Sequence, residues 1–110
     1  MFHAVAATAL GVASGEKLVV AKDELKLCVE SVGSGAQTRE VSLSVEDPQA
    51  PQVWEHGHPN AVAAPDVAPA VFTEDGGTTI VVLLPGSTLT LRGALDRTHA
   101  VMALRTMLGF

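Results

Sequence analysis

The sequence predicts a small, mainly β domain. Three observations predict it: a clean period-two run, a second run folded back across Pro85-Gly86, and an aliphatic supply of core residues. Val41, Leu43 and Val45 alternate with Glu40, Ser42, Ser44 and Glu46, and strict alternation is the mark of a half-buried strand. Hydrophobic residues make up 47% of the chain and aromatic ones only 4%, so Val, Leu, Ala and Ile must fill the interior, as suits pleated sheets. The expected architecture is a small β-sandwich of two hairpins plus extra strands, with a long Pro-rich loop and short terminal helices.

The chain begins, over residues 1–16, with an N-terminal helix or arm. Phe2, Val5, Ala6, Ala9 and Leu10 recur at helical spacing, with Gly11 and Gly15 as stops. The alternative is an extended arm, because Thr8, Val12 and the glycines weaken helix propensity. The missing basic segment argues against a cleaved leader.

From Lys17 the period changes to two. Leu18-Val19-Val20 is a short apolar run, and Leu25, Leu27 and Val29 alternate with Lys26, Cys28 and Glu30. Gly33-Ser34-Gly35 then turns the chain into the Val41–Val45 strand, giving a hairpin with one buried face. Residues 47–71 carry Pro48, Pro51, Pro59, Pro65 and Pro69, which remove ladder donors and disfavour helix before each ring. This is the long Pro-rich loop, too apolar at Trp54, Val62, Val67, Val71 and Phe72 to be a free linker.

After Gly76-Gly77, Thr78–Leu84 reads as a strand buried on both faces. Pro85-Gly86 fits a type II turn, and Leu89 and Leu91 return against Thr88, Thr90 and Arg92. In the last segment Leu95, Ala100, Val101, Leu104, Met107 and Leu108 share a helical face with Asp96 as N-cap, although a strand also fits Ala100 to Leu108. Val41, Leu43, Val45, Ile80, Val82, Leu89 and Leu91 are expected to share one core.

A chain of 110 residues makes one domain, 1–110, able to bury a core without staples. The net charge is −5 and the seven Lys and Arg are scattered, which argues against direct nucleic-acid binding. No apolar run approaches the roughly 18 residues of a membrane span. Cys28 is the only cysteine, so no intrachain disulfide forms and the thiol suits a cytoplasmic site of synthesis.

Chemistry is sparse. His56 and His58 would point the same way on an extended chain, as in the His-x-His pair of cupins, but Ala61 to Ala64 stand where that family's downstream Glu belongs. A metal site needs three or four ligands, so no metal, cofactor or catalytic residue is assigned. His99 near Asp96 reads as a helix-end residue, Cys28 as a half-buried filler without a CxxC partner, and Glu74-Asp75 as a solvated turn.

The run from Thr78 through Pro85-Gly86 to Gly93, with its Thr-rich returning strand, resembles the accessory head proteins of tailed bacteriophages. That resemblance implies a compact sandwich and a virion setting, and carries over no functional residue. Apolar residues also reach both ends, Met1-Phe2 and Leu108-Gly109-Phe110. The expected function is a non-enzymatic structural subunit of a larger protein assembly, a homo-oligomer or capsid-type array, located in the cytoplasm or a virion. Its candidate interface residues are Phe2, Trp54, Val62, Val67, Val71 and Phe110. The alternatives are a soluble sandwich module binding a protein or small ligand, and a metal-dependent enzyme using His56 and His58.

Overall fold

The computed structural model describes residues 2–12 and 18–109. Among these, seven strands form a single sheet: β1 (Val19–Glu24), β2 (Leu27–Val32), β3 (Arg39–Glu46), β4 (Val62–Ala63), β5 (Val71–Glu74), β6 (Thr79–Leu83) and β7 (Thr88–Arg92). Their order is β1-β2-β3-β7-β6-β5-β4, and every neighbouring pair is antiparallel. Two meanders, β1 to β3 and β4 to β7, are thus zipped together where β3 meets β7. The strands expected to divide between two packed sheets join one instead, because Leu43 pairs with Leu91 and Val45 with Leu89 in one ladder.

Helices supply the second layer. The two long ones are α1 (Phe2–Leu10) and α3 (Arg97–Leu108), and the short α2 is Pro51–Gly57. α1 and α3 pack against each other, with α1 on β3 and α3 on β6. Val5, Ala6, Ala9 and Leu10 of α1 join Ala100, Val101, Ala103 and Leu104 of α3 over Val41, Ile80, Val82 and Leu91. The small alanines let the helices approach closely. Leu43 and Leu89 flank this core half-buried.

The end of α1 and the start of α3 each have a visible cause. Gly11 ends α1 at φ +65, a conformation that favours glycine, and a Cβ there would meet the His99 ring at 3.0 Å, close enough that the ring would have to give slightly. Arg39 Nη1 donates to the freed Leu10 carbonyl at 3.1 Å. Asp96 caps α3 by accepting the His99 backbone N–H at 2.9 Å, as the sequence predicted. Gly93 leaves β7 at φ +94, and glycine is required there because any Cβ would run into the Glu40 carbonyl oxygen.

The opposite face of the sheet carries a smaller cluster of Trp54, Phe72, Val81 and Leu83. Val71 pairs with Val82 and Phe72 with Val81; adjacent residues point to opposite faces, so β5 and β6 are buried on both. α2 delivers Trp54 to that second face. The 47–71 stretch is therefore only partly a loop: it contains α2, β4 and the start of β5. Pro51 is the reason, since a proline in a helix's first turn loses no intrahelical bond and brings a preset φ.

Two further expectations change. The β2–β3 hairpin does not bury one apolar face: Val41 lies opposite Glu30 and Leu43 opposite Cys28, so Leu27 and Val29 face away from the helices. At Pro85-Gly86 the chain does turn, with Leu84 and Ser87 bonded to each other, but Gly86 lacks the positive φ of a type II turn.

Candidate functional site

Among the described residues, three groupings of polar side chains are the candidates for a site. The first lies where the opening turn of α1 meets β1 and β2, in a cleft of about 200 Å³ lined by Phe2, His3, Val20, Lys22, Asp23, Cys28 and Glu30. Strand register places Cys28 and Glu30 two apart on the helix side of β2. Glu30 is 3% exposed, and His3 Nδ1 donates to it at 2.8 Å. The Cys28 thiol is bonded instead to β1, to Asp23 Oδ1 at 3.8 Å and the Glu24 carbonyl at 3.6 Å. Burial and then the negative charge of Asp23 push the thiol's pKa up, which opposes thiolate formation. As arranged, this cluster fastens α1 to the sheet.

The second grouping is Trp54, His58 and Glu74. The His58 ring stacks on Trp54 with centroids 4.0 Å apart and planes 11° from parallel, and its Nδ1 donates to Glu74 Oε2 at 3.2 Å. His56, one residue before the end of α2, is exposed. Helical backbone at His56 and the turn at His58 thus part the pair that an extended chain would have aligned. No group of three or more His, Cys, Asp or Glu suited to a metal occurs among the described residues.

The third sits at the start of α3. The His99 ring donates to Asp96 Oδ1 at 2.7 Å, and the Arg97 guanidinium grips both oxygens of Asp66 at 3.0 and 3.1 Å. The bonds from His99 hold the Asp96 carboxyl below the usual aspartate range, and Arg97 does the same for Asp66. These contacts tie the 64–68 turn and the helix start together, a structural task.

The expected interface residues scatter. Trp54 and Val71 are buried in the chain's own two clusters, and Phe2 and Val67 pack half-buried on the main core. Val62, at 63% exposure, faces outward from β4. Phe110, and Met1 and residues 13–16 of the expected N-terminal element, lie outside the described residues.

The exposed apolar surface that the sequence reading missed is the β1–β2 hairpin. All six residues of β1 are exposed, Val19 and Val20 at 56% each, and Leu25 at the tip is 95% exposed. The signal was present in Lys22-Asp23-Glu24-Leu25-Lys26, where the charges mark a solvated turn and leave Leu25 no interior to enter. The molecule measures 40 × 27 × 26 Å along its principal axes.

The fold defines a class, a single antiparallel sheet with a helix pair on one face and a short helix on the other. Comparison with protein-family models, curated proteins and solved structures gives no match. Among the described residues, no helix is long and apolar enough to cross a membrane.

Proposed function

We propose that this chain is a non-enzymatic structural subunit that joins copies of itself in a larger protein assembly, in the cytoplasm or in a virion head. The observation that carries the reading is the β1–β2 hairpin, with β1 exposed throughout and Leu25 presented at its tip. A side chain of that size gains about 1.5–3 kcal/mol on full burial, and a neighbouring subunit would supply the cover. The polar groupings support the same view, since each is arranged to hold elements of the fold together. The resemblance to phage accessory head proteins rests on a hairpin at the centre of the sheet, so a capsid-associated layer is one member of the proposed class.

Sedimentation velocity with native mass spectrometry across a range of concentrations tests this. A defined oligomer that dissociates on Leu25→Asp, with the far-UV spectrum unchanged, is the expected result. A monomer at every concentration overturns self-assembly.

A further inference from the structure

We infer that both free edges of the sheet are closed to strand addition, so that copies of this chain do not join by extending the sheet. An open seven-stranded sheet has two edges, which among the described residues are β1 and β4. Each edge strand has unpaired backbone donors and acceptors, a template for another chain. β1 is the greater hazard, being six residues long and exposed throughout.

Two features guard β1. Its partners step from Val20 opposite Glu30 to Lys22 opposite Val29, leaving Ala21 as an extra, unpaired residue. Such a bulge bends the strand and breaks the straight run of outward groups that a second strand needs. Beyond the bulge stands Lys22-Asp23-Glu24. When a strand pairs antiparallel with its own copy about a two-fold axis, the residue on the axis faces itself. Centring the pair on Lys22 or Glu24 therefore sets like charges directly opposite, while centring it on Asp23 matches Lys22 with the copy's Glu24 and leaves the bulge at Ala21, one residue beyond on either side, as the obstacle. Moving the axis toward Val19 and Val20 brings the bulge into the joint.

The β4 edge is guarded differently. It is only Val62–Ala63, with Pro59 and Pro65 on either side, and proline cannot donate to a ladder. The Ala61 N–H just before it is already given to the His58 carbonyl. Val62 is exposed, yet the strand that carries it is too short to template another.

The inference refines the assembly reading and rests on it only in saying where contacts between copies fall: on the hairpin tip and faces rather than its edge. Hydrogen exchange of the full chain, followed by mass spectrometry at low and high protein concentration, tests it against two variants. One deletes Ala21, which leaves the registered partners on either side in place. The other keeps Ala21 and replaces Lys22, Asp23 and Glu24 by Thr; since these side chains are exposed, it stays folded even where the deletion does not. All three proteins also carry Leu25→Ser, which removes the apolar contact at the tip, and with the guards intact the β1 amides should then exchange at the same rate at both concentrations. In at least one guard-removed variant they should slow about tenfold or more at high concentration, with new self-association by sedimentation. Concentration-dependent protection of β1 in Leu25→Ser with both guards intact overturns the inference, as does unchanged exchange in both guard-removed variants. A monomeric parent whose variants associate removes the assembly reading and leaves this one standing.

Discussion

His3 Nδ1 lies 2.8 Å from Glu30 Oε1, so a residue in the first turn of α1 supplies the partner for a carboxylate buried in β2. The bond spans 27 positions of sequence and resolves an awkward placement. Strand pairing sends Glu30 to the helix side of the sheet, opposite Val41, where a carboxylate without a donor would carry its full desolvation cost.

His3→Ala should therefore destabilise the fold by about 1–3 kcal/mol. The lower half of that range is expected, because the His3 side chain is 63% exposed and water can partly replace it. Adding Glu30→Leu to His3→Ala should recover much of the loss, since the stranded carboxylate is then gone. Urea denaturation of the two variants checks both statements, and a His3→Ala curve superimposed on the parent's would remove the fastening role.

This pair also marks how far the sequence could be read. α1, the β2–β3 and β6–β7 hairpins, and α3 with its Asp96 cap were legible because periodicity and capping are local signals. Whether the strands form two sheets or one depends on β3 finding β7 across more than forty positions, and alternation looks the same in both cases. The facing of β2 was misread for a related reason: Leu27 and Val29 look like the buried set until Val41 fixes the register and His3 makes Glu30 tolerable. α2 was hidden by counting prolines instead of placing Pro51 at a helix start. At the candidate site, spacing put His56 and His58 together, and the helix parts them.

The core itself gives a graded prediction. Leu91 is 1% exposed beneath the helix pair, Leu43 is half-buried on the same face, and Leu25 is 95% exposed. Leu91→Ala should cost about 2–5 kcal/mol, Leu43→Ala less, and Leu25→Ala little in the isolated chain. Equal losses at Leu91 and Leu43 would show that the face is more evenly covered than this packing allows.

The Asp96 cap predicts a pH dependence with a definite sign. Hydrogen bonds from the His99 backbone and ring lower the folded-state pKa of Asp96 below its ordinary value of 3.8. The stability that this gives is present above the ordinary value and is lost as pH falls through the lowered one. Asp96→Asn keeps a capping acceptor but cannot titrate. Between about pH 5 and about pH 2 the parent should lose more stability than Asp96→Asn, and parallel urea midpoints for the two proteins would rule out the cap as a source of acid sensitivity.

The Trp54 stack tests how α2 is held. Trp54 is the only tryptophan, it is 3% exposed, and it sits between the His58 ring at 4.0 Å and Phe72 at 4.9 Å. Phe72 belongs to the sheet, whereas His58 lies just past α2 and is anchored to β5 by Glu74. One side of the indole thus depends on a side chain held by a single hydrogen bond. His58→Ala should open that side, moving the emission to longer wavelength and raising quenching by acrylamide, while the urea midpoint falls modestly because Phe72, Val81 and Leu83 still cover the other. Glu74→Gln should do less, since the stack survives when only the charge is removed. If His58→Ala leaves emission and quenching as in the parent, the cover over Trp54 comes from elsewhere, and the Trp54–His58 stack is not what seats α2 on the sheet.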